Sequence, residues 1–215
     1  MQGFFVTGTD TDVGKTVVAA WLLAHLDALH LDAHYWKPVQ AGTEPETDAQ
    51  TVRRLAGVPQ TRILPEAYML AEAIAPHEAA KRAGIQIEMG KLVPNPVGGA
   101  LVVEGAGGLL VPLNDTSTVI DLATELHLPV VLVARSTLGT INHTLLSLEA
   151  LRRRGLPIAG VVINGPETPH NRAAIERYGQ APVIAEIPWL DTVTRETLLA
   201  IEPELDLAQL ARAAP

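Results

Sequence analysis

Apolar residues fall along this chain in short unbroken runs, separated by longer stretches of mixed period. The runs are Gln2 to Thr7, Ala33 to Lys37, Ala100 to Glu104, Val130 to Ala134, Ile158 to Ile163 and Val183 to Ile187. Apolar runs of this length, bounded by Gly, Pro and polar residues, predict strands buried on both faces, as in a parallel sheet. Helix-like stretches lie between them. Lys15 to about Leu29 places Val18, Trp21, Leu22, Ala24 and Leu26 at mixed helical spacings. Further helices are predicted over Ala49 to Ala56, Ala75 to Arg82, a segment reaching Leu126, Thr140 to about Arg154, His170 to Tyr178, and Leu205 to Arg212. Gln40 to Thr47 is polar with Gly and Pro and predicts a loop. Residues 57–98 carry little period beyond their one short helix. Strands alternating with helices predict an α/β fold, a mostly parallel sheet with helices on both faces, and one domain over residues 1–215.

Candidate chemistry sits where the apolar runs end. After the first run come Gly8-Thr-Asp-Thr-Asp-Val-Gly-Lys-Thr16 and then the apolar, helix-like Val17 to Ala24. A strand, a loop ending Gly-Lys-Thr and a helix form the context of a phosphate-binding P-loop. Loop N–H groups closing on a helix N-terminus make a positive concavity for phosphates. Asp12, Val13, Gly14, Lys15, Thr16 and Val17 are the candidate nucleotide-binding residues, with Lys15 on the outer phosphates and the Thr16 hydroxyl on Mg²⁺. The usual loop has four residues between its first Gly and Gly-Lys-Thr. Here five lie between Gly8 and Gly14, so the loop is a long variant. A plain strand-to-helix turn is the alternative.

The other run ends add polar groups to the same edge, where open α/β sheets bind ligands. Pro38 forces Lys37 into an extended conformation at the end of its strand. Lys37 is either a solvated strand-end charge or a ligand group. Asp48 opens a helix, as an N-cap or as a carboxylate turned back toward a metal. Glu104 ends an apolar strand downstream of the P-loop, as a metal-side carboxylate of a nucleotide site does, or the strand simply runs there into a Gly-rich turn. Gly105, Ala106 and Gly107 follow it and allow close backbone approach to a phosphate. Gly139 and Thr140 open a helix whose N-terminus suits an anion. Asn164-Gly165 by itself is a turn signal.

Composition narrows the function classes. The chain has 215 residues, with 16 Lys plus Arg against 24 Asp plus Glu, for a formal charge of -8. An acidic chain without a basic run argues against nucleic-acid binding. No apolar stretch is long enough to span a membrane, and no signal-peptide pattern opens the chain. There is no cysteine, which removes disulfides, thiol nucleophiles and thiolate metal sites and is compatible with the cytoplasm. The seven histidines are scattered; His30 and His34 read as structural or exposed, not as a metal pair.

Taken together the motifs resemble the dethiobiotin synthetase family. The matching residues are the long loop Gly8 to Thr16, Lys37-Pro38-Val39, Glu104-Gly-Ala-Gly-Gly108, Leu138-Gly-Thr-Ile-Asn-His143 and Ile187-Pro-Trp-Leu190, spanning most of the chain in the expected order. The resemblance implies an ATP- and Mg²⁺-dependent cyclo-ligase that forms dethiobiotin from 7,8-diaminopelargonate and CO2. It implies that Lys37, Lys15 and Thr11 act at the carbamate and the transferring phosphoryl group, and that Thr16, Asp48 and Glu104 organise Mg²⁺. Asn164, Pro188, Trp189 and Leu190 would hold the adenine. A homodimer is implied, the substrate carboxylate lying on a partner's helix N-terminus, which matches Gly139, Thr140, Ile141 and Asn142 here.

Two positions depart from the family pattern. Ala41 stands where relatives often carry Ser, and Gly165 where they often carry Asp, so relaxed adenine selectivity is expected. Two other classes compete. Cobyrinate-type amidases share the loop style but carry a glutaminase domain with a cysteine nucleophile, which this chain lacks. Partition and cell-division ATPase switches usually have a lysine early in the loop, where this chain has Thr9-Asp10-Thr11-Asp12.

Overall fold

The computed structural model describes residues 2–212. Six of its strands form one sheet: β1 (Gln2–Gly8), β2 (His34–Trp36), β5 (Ala100–Gly108), β6 (Val130–Arg135), β7 (Ile158–Asn164) and β8 (Val183–Ile187). Their order is β2-β5-β1-β6-β7-β8, and every pairing is parallel. The order reverses at β1, flanked by β5 and β6, so the crevice at a reversal point opens beside the P-loop.

Strand period sorts the core into two layers. Phe4, Val6, Val102, Val131 and Val133 face the layer built by α1 (Lys15–Ala28), α2 (Asp48–Ala56), α7 (Arg195–Leu199) and α8 (Leu207–Arg212). Phe5, Leu101, Val103 and Val130 face the opposite layer, with α3 (Pro76–Arg82) and α4 (Val119–Leu126). Leu132 and Ala134 pack there against α5 (Thr140–Arg153) and α6 (Pro169–Gly179). Helices thus cover both faces, as the runs predicted. The mixed spacing in α1 has a physical cause: it lies between the sheet and α2 and α7, so it is buried nearly all round and needs no polar stripe. Its Trp21 indole N–H donates to the Ile201 carbonyl at 2.8 Å.

The structure corrects two expectations and adds one element. Gln40 to Thr47 is not all loop: β3 (Val39–Ala41) pairs in parallel with β4 (Tyr68–Leu70) as a separate two-stranded sheet. β5 does not turn at Glu104 but continues in strand conformation through Gly108. The five-residue α7 had no counterpart in the sequence reading; it starts at a Thr194–Thr197 capping box.

Candidate active site

The site begins with the turn that closes β1 onto α1. Gly14 caps α1 with φ 95°, a left-handed conformation in which a side chain is strained. A Cβ there would also lie 2.1 Å from the Asn164 amide nitrogen. Asn164, at the end of β7, donates that N–H₂ to the Val13 carbonyl at 3.1 Å. The residue at the strand end therefore holds the phosphate loop in shape, beyond the turn signal of Asn-Gly. Lys15 folds back so that its ammonium donates to the Asp10 carbonyl at 3.1 Å. Burial, and then the Lys37 cation, lower its pKa from the ordinary lysine value.

Behind the loop, four elements bring a charged cluster together. From the end of β2, the Lys37 ammonium lies 2.6 Å from Asp48 Oδ2 and 2.9 Å from Glu104 Oε1, and donates to the Gly105 carbonyl at 3.2 Å. The Thr16 hydroxyl lies 3.1 Å from Glu104 Oε1 and 3.3 Å from Asp48 Oδ1, and its single proton serves one of them at a time. The Tyr35 hydroxyl donates to Glu104 Oε2 at 2.8 Å. Burial alone would pull the Lys37 ammonium down, but the Glu104 and Asp48 carboxylates outweigh it and the pKa rises. Lys37 is therefore a fixed cation rather than a base. The same pairing overcomes the burial of Asp48 and lowers its carboxyl below the usual range. Burial, and then the Glu104 charge, push the Tyr35 phenol well above its ordinary value.

Both open alternatives close here. Lys37 is buried at 4% exposure, so it is not a solvated strand-end charge. Asp48 is not the N-cap of α2: Thr47 is, in a capping box with Gln50, and Asp48 turns to the cluster.

One cleft of about 630 Å³ opens onto these groups. It collects Thr11, Asp12, Gly14, Lys15, Thr16, Lys37, Asp48, Glu104, Ala106 and Gly107. It also takes in residues the sequence reading missed: Gln40, Val111 and the stretch Ala73 to Pro76. Gln40 accepts the Asp48 N–H at 3.2 Å and donates to the Gly42 carbonyl at 2.7 Å, coupling β3 to the start of α2. Its place three residues after Lys37, at the ligand edge, was the available signal.

Gly105 meets the cluster through its carbonyl and Asn164 backs the loop at Gly14; the other predicted residues do not line this cleft. Gly139 caps α5 with φ 94°, among the described residues no side chain caps this helix start, and the Thr140 N–H donates to the Thr137 carbonyl at 3.1 Å. Val13 is buried and Val17 half-buried, both in core packing. The Pro188-Trp189-Leu190 turn follows β8, with Trp189 79% exposed. Gly165 has φ 129°, and a Cβ on it would lie 2.4 Å from the Ser136 hydroxyl. An Asp there needs a different local backbone.

The donor set suits Mg²⁺. Two carboxylates and a hydroxyl, all hard oxygens, converge from three elements on a position now neutralised by the Lys37 ammonium. Among the described residues no three His, Cys, Asp or Glu side chains form a closed cage. Mg²⁺ commonly takes one or two carboxylates and completes its shell with water and phosphate oxygens.

Parallel strands, a left-handed glycine turn into α1, and Lys15 and Thr16 at its start define a P-loop nucleotide-binding α/β protein. Solved structures with this fold include the cell division ATPase MinD of Pyrococcus furiosus, at TM-score 0.59 and 16% identity over 98% of this chain and 95% of that one. A ParA family ATPase from Chlorobium tepidum TLS aligns at TM-score 0.54 and 13% identity over 98% and 97%. Those likenesses concern the fold alone. A family model described as an AAA domain matches residues 2–197. Among curated proteins, the ATP-dependent dethiobiotin synthetase BioD of Paramagnetospirillum magneticum is 53% identical over 94% of this chain and 96% of its own length. The protein of the same name from Agrobacterium fabrum is 50% identical over 91% and 90%. The chain belongs to the ATP-dependent dethiobiotin synthetase family.

Proposed function

We propose that this protein closes the ureido ring of dethiobiotin, using ATP, CO2 and 7,8-diaminopelargonate. The carrying observation is the joining of the phosphate loop to the buried Lys37–Asp48–Glu104 cluster in one cleft. A phosphoryl acceptor and a nucleotide can meet there with a fixed cation between them.

One amine of the substrate takes up CO2 as a carbamate and releases a proton. A carbamate oxygen attacks the γ-phosphorus and ADP leaves. The second amine attacks the carbamoyl carbon, and phosphate departs as the ring closes. Such a path asks the protein mainly for placement and charge neutralisation. Lys37, held protonated by its two carboxylates, faces the carbamate and the transferring group. Lys15 exchanges its bond to the Asp10 carbonyl for phosphate oxygens when nucleotide enters. The two cations favour the free amine over ammonium, which carboxylation needs. Thr11, on the cleft wall, donates to substrate or phosphate. Thr16, Asp48 and Glu104 would hold Mg²⁺, which when bound neutralises charge on the phosphate oxygens. The N–H groups of Asp12 to Val17 and the backbone of Gly105 to Gly107 line the phosphate path, and Trp189 offers its exposed face to the base beside Asn164, Pro188 and Leu190.

A homodimer completes the reading. A second cleft of about 520 Å³ carries Leu110, Leu146, His143 and Ser147 next to Thr11, and Leu110 and Leu146 are exposed by 66% and 57%. A partner covering this apolar rim would bring its own Gly139 to Asn142 helix start to the substrate carboxylate. The use of ATP supports a cytoplasmic reaction in this reading. No helix among the described residues is long and apolar enough to cross a membrane.

The test is phosphate release from ATP with and without the diamine and bicarbonate, with mass detection of the cyclic urea. Diamine-dependent release with one urea per phosphate is expected. Release indifferent to the diamine, without urea, would move the protein to the nucleotide switches.

A further inference from the structure

We infer that Tyr35 is a positioning residue for this reaction, orienting Glu104 so that one carboxylate oxygen is presented to the cation site. The inference rests on the reading that Glu104 helps to hold Mg²⁺.

β2 and β5 pair in parallel with Tyr35 opposite Val102. Side chains two residues apart share a sheet face, so Glu104 projects on the same face as Val102 and Tyr35. The Tyr35 ring is fully buried among core residues of that face, and its backbone carbonyl accepts the Leu64 N–H at 2.8 Å. The ring is thus fixed before its hydroxyl makes any contact.

Glu104 has two oxygens in different surroundings. Oε1 faces the cleft, with Thr16 at 3.1 Å and Lys37 at 2.9 Å. Oε2 faces inward and is met by Tyr35 at 2.8 Å. Thr16 and Lys37 are ligand-side groups that must rearrange when nucleotide and Mg²⁺ arrive. Tyr35 lies behind the carboxylate, out of the cleft, and its bond survives that exchange. Without it, a carboxylate at 1% exposure would keep an unpaired oxygen and be free to turn Oε1 away. Partners behind a ligating carboxylate commonly govern metal affinity by 10–100-fold.

The experiment is a Mg²⁺ titration of ADP binding, followed by calorimetry, on the wild type, Tyr35→Phe and Glu104→Gln. Tyr35→Phe keeps the ring and removes only the hydroxyl. Its half-saturating Mg²⁺ should rise by about tenfold or more. Turnover lost at limiting Mg²⁺ should return at excess Mg²⁺, since the chemical groups are untouched. A folded Tyr35→Phe with unchanged half-saturation, while Glu104→Gln shifts it, would overturn the role of Tyr35 alone. If Glu104→Gln shifts nothing, the metal reading of Glu104 fails, and the role of Tyr35 fails with it. Should Tyr35→Phe not fold, 3-fluorotyrosine at position 35 keeps the shape and strengthens the donor. The stronger bond should hold Glu104 Oε1 toward the cation site more firmly and lower the half-saturation, and a rise or no change there would overturn the inference.

Discussion

Lys37→Met removes one cation from a buried cluster and leaves two carboxylates facing each other across Thr16. Taking one partner from a buried ion pair generally costs about 3–5 kcal/mol. Here the side chains of Lys37 and Glu104 are 5% and 0% exposed, while that of Asp48 is 32% exposed and partly screened by water. The lower end, about 3 kcal/mol, is therefore expected. For a domain of this size, that lowers Tm by roughly 6–12 °C. The loss should depend on pH in a set direction. In the wild type the pKa of Asp48 is depressed on folding, so its stabilisation is present above the unfolded value and lost as pH falls through the folded one. In the variant, burial, the largest influence on Asp48, is opposed only by the Thr16 hydrogen bond and the Lys15 charge, and the folded Asp48 pKa is expected to rise above the unfolded value. That destabilisation is full at neutral pH and is relieved as pH falls toward the unfolded carboxylate range, near 4. The gap between the proteins should therefore be widest near pH 7.5 and narrow toward about pH 5. Mg²⁺ should stabilise the variant more than the wild type, because it replaces the missing charge. Thermal melts by circular dichroism, across pH and with or without Mg²⁺, read all three effects. A Tm change under about 2 °C at pH 7.5, or a gap that stays constant on acidification, would refute the account of the cluster.

Two further predictions concern the carboxyl end of β7. Gly165→Asp should destabilise the protein by about 1–3 kcal/mol, because φ is 129° and the added Cβ meets the Ser136 hydroxyl; a chemical unfolding curve with no loss would show that the turn adapts freely. Asn164→Ala removes the donor to the Val13 carbonyl, and should weaken ADP binding more than it lowers Tm; unchanged ADP affinity by calorimetry would detach Asn164 from the phosphate loop.

How much of this was legible in the chain depends on the length and regularity of each element. The six main strands are continuous apolar runs, so their places could be read directly, and a run ending in Glu104 or Lys37 marked the ligand edge. The phosphate loop was legible because a strand, Gly14-Lys15-Thr16 and a helix follow in order. Asp48 was ambiguous because Thr47 and Asp48 are both good caps, and only the packing of α2 shows which one caps. β3, β4 and the short turns of residues 57–98 span too few residues to show a period, yet they bring Gln40, Ala41 and Ala73 to Pro76 to the cleft. Tyr35 sits within the apolar run that forms β2. Its partner is 69 positions away, and the contact follows from strand register rather than from local sequence.

Attack of a carbamate oxygen on the γ-phosphorus moves an oxygen of CO2 into phosphate. Running the reaction briefly with ¹⁸O-labelled CO2 and reading both products by mass spectrometry follows that oxygen. The account predicts one labelled oxygen in the released phosphate and one in the ureido carbonyl. Phosphate carrying no CO2-derived oxygen, alongside a labelled urea, would contradict it.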